Sequence, residues 1–151
     1  MVELKKCVDE VVEELTEKAE SRDIRLKIQV PGITVLSNAE QLAILCSNLV
    51  SNAIFYSHEG EEVAVAARLE DGNVCLSVSD RGIGIKEEAL PHIFEEYYRT
   101  KEAARFNRTS TGLGLSIVRE IAQNLNLKIR VDSGLGEGTT FKVYIPLPVE
   151  K

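Results

Sequence analysis

Apolar and polar positions follow two periods along this chain, and the places where one gives way to the other mark its elements. Across residues 2–21, Leu4, Val8, Val11, Val12 and Leu15 recur at three- and four-residue spacing with Glu and Lys between them, which predicts an amphipathic helix. Residues 24–30 switch to alternation, with Ile24, Leu26, Ile28 and Val30 set against Arg25, Lys27 and Gln29. This is the pattern of a half-buried strand, and Pro31-Gly32 stops it. A second helix is predicted over 39–55, burying Leu42, Leu45, Cys46, Leu49, Val50 and Ala53, with Ser37 or Asn38 as its cap. Asn48 and Asn52, one turn apart, form a stripe beside that buried face, and Phe55 lies in the same stripe.

Residues 63–69 and 74–80 read as strands joined by the turn Glu70-Asp71-Gly72-Asn73, which predicts a hairpin. Gly82 and Gly84 then break the chain, and 86–90 can form a short helix. Residues 99–111 have no apolar period and read as a mobile loop. A helix is predicted over 112–126, with Leu115, Val118, Ile121, Ala122 and Leu125 inward. Strands over 127–131 and 141–147 flank the Gly-rich turn at 134–138. Elements that do not alternate strictly as βαβ predict an α+β fold. We expect a two-layer α/β sandwich whose mixed, mostly antiparallel sheet of about five strands carries helices on one face. A doubly wound parallel sheet is the alternative, and the hairpins weigh against it.

Composition narrows the function. The chain has 151 residues, enough for one domain, and its net charge of −6 argues against a nucleic-acid partner, whose phosphates need clustered Lys and Arg. Residues 99–108 go against this balance. Arg99, Lys101, Arg105 and Arg108 face only Glu102, so this stretch is net +3 while the other 141 residues carry −9. A basic loop on an acidic domain suits a small polyanion. Cys7, Cys46 and Cys75 are odd in number and lack metal-ligand spacing, which predicts reduced, buried thiols in a cytosolic setting. No apolar run approaches the ~18 residues of a membrane span, and the N-terminus is too charged for a signal peptide, so a soluble, cytoplasmic domain without direct membrane contact is expected.

Three stretches can carry chemistry. DRGIGI at 80–85 sets a carboxylate at a strand end, where Asp80 can accept a hydrogen bond from an exocyclic amine, while Gly82 and Gly84 let a flat ligand approach the backbone. TGLGLSIV at 111–118 puts Gly112 and Gly114 at the mouth of a helix, where free N–H groups and the helix dipole favour phosphate oxygens. NLVSNAIFYS at 48–57 offers two amide oxygens on one stripe, ligands that suit Mg²⁺.

Taken in order, NLVSNAIFYS, DRGIGI, IFEEYYR, STGLGLSIV and SGLGEGTTF resemble the N, G1, F and G2 boxes and the last turn of the catalytic ATP-binding domain of two-component sensor histidine kinases. These belong to the Bergerat-fold (GHKL) superfamily that also holds gyrase, the large heat-shock chaperone and mismatch-repair ATPases. The resemblance covers nearly the whole chain. It implies a connector helix at 1–22 leading from a dimerisation and phosphoacceptor region, and a catalytic domain at 23–151. The implied cofactors are ATP or ADP and Mg²⁺, with Asn52 on the metal and Asn48 near it or its waters. Asp80 would bind the adenine amino group, helped through water by Thr139. Gly82, Gly84 and Ile85 would shape the base pocket, and Tyr56 would line it. Tyr98 and Arg99 would stand at the lid, and the backbone of Thr111, Gly112, Leu113, Gly114 and Leu115 would wrap the phosphates.

The hydrolysing members of that superfamily carry a Glu at the position of Asn48. An amide accepts no proton at neutral pH, so the resemblance implies phosphoryl transfer rather than hydrolysis. The acceptor would be a histidine on a helical hairpin. His58 and His92, the two histidines here, occupy a turn signal and the F box, so the implied acceptor lies on a domain outside this chain, and a response-regulator receiver domain would be the next partner. Phe55 departs from the family, which often has a phosphate-binding Lys there, and Arg105 or Arg108 could replace that charge. Thr109-Ser110 stands where a Gly pair is common. Two alternatives share the fold: a stand-alone anti-sigma-factor serine kinase, and a docking module that has lost catalysis.

Overall fold

The computed structural model describes residues 1–106 and 114–148. Its sheet has the order β2-β4-β5-β7-β6, built from β2 (Arg25–Gln29), β4 (Glu62–Glu70), β5 (Asn73–Asp80), β6 (Lys128–Gly134) and β7 (Gly138–Pro146). Edge strand β2 runs parallel to β4, and the other neighbours pair antiparallel. Helices α1 (Leu4–Ser21), α2 (Ala39–Tyr56) and α4 (Gly114–Leu125) form the second layer, with α2 packed between the other two. The expected α+β sandwich with a five-stranded mixed sheet is therefore the observed fold.

The periodicity explains why the layers meet as they do. α2 turns Leu42, Leu45, Leu49 and Ile54 inward, each 0 % exposed, onto Val63, Val65, Leu76, Val143 and Ile145 of the sheet. Burying one such Leu or Ile contributes about 2 kcal/mol. Leu4, Val8 and Val11 of α1 join the same core, as do Val118 and Ile121 of α4. Asn38 caps α2, its side chain accepting from the Gln41 N–H at 2.9 Å. The hairpin between β4 and β5 turns on Asp71 (φ 50°) and Gly72 (φ 80°), two left-handed residues that match the twist of the strands. All three cysteines are buried and unpaired. Among the described residues, no helix is long and apolar enough to cross a membrane.

Three local expectations need correction. Val2–Glu3 leaves the predicted first helix and, as β1, pairs antiparallel with β3 (Thr34–Val35), so α1 begins at Leu4, whose N–H bonds the Ile33 carbonyl at 2.9 Å. The short helix after the glycines is a 3-10 turn at Glu87–His92, displaced toward Pro91. The stretch read as a loop at 99–111 contains α3 (Lys101–Phe106). No apolar period announces α3, because a cap and an ion pair hold it. Thr100 Oγ1 accepts from the Ala103 N–H at 3.0 Å, and Glu102 meets Lys86 at 2.9 Å.

Arg22, just past the end of α1, ties that helix to α2. Its guanidinium donates to the carbonyls of Ile54, Phe55 at 2.8 Å and Ser57 at 3.0 Å, the group that α2 leaves open at its negative end.

Candidate functional site

A cavity of about 350 Å³ opens between α2, the turn after β5, the segment leading into α3, and the start of α4. From α2 it is lined by Asn48, Asn52, Phe55 and Tyr56, the first three of which make the stripe noted in the sequence. Gly84 and Ile85 line it from the turn, Tyr98 and Arg99 from the far side, Gly114 and Leu115 from α4, and Thr139 from β7. Its size and largely apolar wall with a few polar groups suit a small ligand.

Asp80 ends β5 and is 9 % exposed; it is not among the residues lining the cavity but is bonded to Thr139, which is. Its Oδ1 accepts from the Gly82 N–H at 3.0 Å and the Thr139 N–H at 3.2 Å. Burial pushes the carboxyl up from its ordinary 3.8 to about 6, against the pull of those two donors. Near neutral pH the group is mostly ionised, and both of these bonds fall on Oδ1, so Oδ2 remains an acceptor.

Close main-chain contact makes the turn beyond Asp80. A Cβ on Gly82 would lie 1.9 Å from the Tyr56 carbonyl oxygen, so Gly82 works by seating the turn on the end of α2 rather than by lining the cavity. Gly84 has φ +71° and would place a Cβ 1.9 Å from the Gly134 carbonyl oxygen, where the turn meshes with the loop between β6 and β7. The Gly136 N–H completes that contact by donating to the Ile83 carbonyl at 2.7 Å.

The two asparagines differ in their bonding. Asn48 donates its amide NH₂ to the Ile44 carbonyl at 2.8 Å, which leaves Oδ1 directed at the α4 entrance, 3.2 Å from where a Cβ on Gly114 would stand. Asn52 lines the same wall one turn on. One amide oxygen beside a helix start, with a second asparagine a turn away in the same wall, fits a hard cation that itself carries phosphate oxygens. Among the described residues there is no cluster of three or more His, Cys, Asp or Glu side chains to form a different metal site.

Arg105 of α3 is exposed and lies outside the lining, while Arg108, Thr111, Gly112 and Leu113 fall outside the described residues. His58 and His92 are exposed, and His92 Nδ1 is 2.6 Å from Glu95 Oε2. Three residues escaped the sequence reading. Lys18 sets its ammonium 4.4 Å from the Phe55 ring centroid, bringing a cation to the position where Phe55 supplies none. Arg22 stacks over Phe106, 5.4 Å from its centroid, so the end of α1 reaches the segment bordering the cavity. Ser133 on β6 bonds both Ile85 and Thr139. Only the basic character of the last turn of α1 hinted at the first two, and nothing singled out Ser133.

Known proteins share the sequence and fold of this chain. The family described as histidine kinase-, DNA gyrase B-, and HSP90-like ATPase matches residues 37–149. The sensor-like histidine kinase SenX3 of Mycolicibacterium smegmatis is 38% identical over 146 residues, covering 96% of this chain and 38% of its own length. The chain thus spans less than half of the curated relatives it matches. Among solved structures, the mycobacterial sensor histidine kinase MprB superposes with a TM-score of 0.87 at 25% identity, covering 98% of this chain and 99% of that one. Full-length ShkA, solved in complex with AMPPNP, gives 0.81 at 27% identity over 96% of this chain and 30% of its own. The chain therefore belongs to the histidine kinase-, DNA gyrase B- and HSP90-like ATPase family, as an ATPase domain of the kind sensor histidine kinases carry.

Proposed function

We propose that the cavity binds ATP with Mg²⁺ and that the domain directs the γ-phosphate to a histidine on a separate dimerisation and phosphoacceptor domain, from which a response-regulator receiver domain would take it. One observation carries this reading: a buried carboxylate, Asp80, bonds the main chain of Thr139, which lines a cavity that Asn48 and Asn52 also line, with the Asn48 amide oxygen beside Gly114 at the start of α4. Asp80 would accept the adenine amino group, with Thr139 beside it. Gly82, Gly84 and Ile85 would hold the turn under the base, and Tyr56 would flank it. Asn52 would be the metal ligand and Asn48 its neighbour. Gly114 and Leu115, together with Thr111, Gly112 and Leu113, would face the phosphates, and Tyr98, Arg99, Arg105 and Arg108 would serve the lid. When bound, Mg²⁺ neutralises phosphate charge and orients the transferred group. The chain's own part is to hold the base and exclude water. Asn48 offers no base to activate a water, which supports transfer over hydrolysis. Use of ATP supports a cytoplasmic location, and the ShkA complex with AMPPNP shows that a relative takes such a ligand.

Calorimetry with AMPPNP tests the binding. Mg²⁺-dependent binding is expected, weakened at least about ten-fold by Asp80→Asn or Asn52→Ala. Binding that is indifferent to both variants would refute the assignment of the site. Phosphotransfer from ATP to an added phosphoacceptor domain tests the transfer step.

A further inference from the structure

Three hydrogen bonds converge on one hydroxyl. Ser133 Oγ lies 2.8 Å from the Ile85 amide nitrogen, 2.9 Å from the Gly138 carbonyl oxygen and 2.8 Å from Thr139 Oγ1. A serine hydroxyl has one proton and two lone pairs. The Ile85 N–H can only donate, so it uses one lone pair. The Gly138 carbonyl can only accept, so it takes the proton. The remaining contact is then satisfied in one way, with Thr139 donating its own hydroxyl proton to the second lone pair of Ser133. Thr139 lines the cavity, and with its proton engaged by Ser133 its hydroxyl has only a lone pair to offer a molecule there. The ionised Asp80 carboxylate, which the Thr139 N–H holds at 3.2 Å, is an acceptor too.

We propose that Ser133 is a positioning residue that sets base specificity: by engaging the Thr139 hydroxyl proton it makes the polar floor of the cavity acceptor-only, so that a base edge bearing an exocyclic amine is taken and one bearing a carbonyl there is rejected. A site built to accept from an amine loses that bond to a carbonyl and faces it with lone pairs. This rests on the nucleotide reading above. The same hydroxyl also steadies the turn through Ile85, so loss of ADP affinity alone would not separate positioning from structure; the ratio of affinities for two bases does.

The test compares ADP with inosine diphosphate, which replaces the amine with a carbonyl, by calorimetry with Mg²⁺ on the wild type, Ser133→Ala, Ser133→Thr and Thr139→Val. The wild type should prefer ADP. Ser133→Ala frees the Thr139 proton to meet a carbonyl, and should lower the ADP to inosine diphosphate ratio about five- to ten-fold, the scale of one neutral hydrogen bond. Ser133→Thr, which keeps the hydroxyl, should restore the ratio. Thr139→Val should lower it by itself, and adding Ser133→Ala should lower it no further. An unchanged ratio in Ser133→Ala, or in Thr139→Val should the first variant not fold, overturns the role of Ser133 while leaving the nucleotide site intact. A wild type that binds no ADP overturns the nucleotide reading and this one with it.

Discussion

Replacing Asp80 by Asn separates what the site needs from what the fold prefers. Burial holds the Asp80 carboxyl at about 6 against an ordinary 3.8, a difference worth about 3 kcal/mol. The sign follows from proton counts. Between pH 3.8 and about 6 the folded chain keeps a proton that the unfolded chain has released, so stability falls as pH rises through that window, and the full cost stands above it. Asparagine has no charge to desolvate, and its Oδ1 can accept from the same Gly82 and Thr139 N–H groups. The ligand-free variant should therefore be more stable than wild type near pH 7, by a margin approaching ~3 kcal/mol, while binding nucleotide worse. Near pH 4 the margin should almost vanish. Urea unfolding of both proteins at the two pH values gives the difference directly, with the other titrating groups cancelling. In thermal melts near pH 7 the variant should gain ~2–4 °C per kcal/mol. A margin independent of pH, or a variant less stable near pH 7, refutes the view that a buried charge is what this position costs.

Further outcomes follow from other contacts. Gly84→Ala must force a methyl group onto the Gly134 carbonyl at positive φ, so a loss of at least about 2 kcal/mol is expected in denaturant titration. Arg22→Met removes three bonds from the carboxyl end of α2 and should cost about 2 kcal/mol, read by the same titration. Phe55→Lys should tighten ATP binding by up to about ten-fold in calorimetry, the size of one charge-assisted bond. An unchanged affinity would show that cations already beside the cavity, such as Lys18, supply that charge.

What could be read from the sequence follows from how locally each feature is specified. α2 and the hairpin of β4 and β5 were plain, because a 3.6-residue stripe and an Asp-Gly turn between alternating strands are both written in neighbouring residues. The parallel pairing of β2 with β4 was not, since it joins Arg25–Gln29 to a strand more than thirty residues on, and no local pattern sets strand direction. α3 was missed because a cap and an ion pair leave no period. The boxes pointed to Asn48, Asn52, Gly84 and Thr139, and the cavity lining brings these together, while Asp80 meets it only through its bond to Thr139. Ser133 was not legible, because its role depends on three partners from different segments, and a serine at a strand end is ordinary in sequence. Lys18 likewise gains its place only from the packing of α1 on α2.

The meshing of the turn after β5 with its neighbours has a consequence for how this domain can vary. Where backbone lies directly on backbone, the residues that matter are those whose side chains are missing, and few side chains brace the shape they hold, chiefly Asp80 on the Gly82 N–H and Ser133 on the Ile85 N–H. A saturation library selected for nucleotide retention should show sharp vacancies in its tolerance map at Gly82, Gly84 and Gly138, set among permissive neighbours such as the exposed Arg81 and Leu135. The exposed positions around this turn can thus drift widely in composition while the turn itself keeps its outline, since main-chain contacts draw most of it.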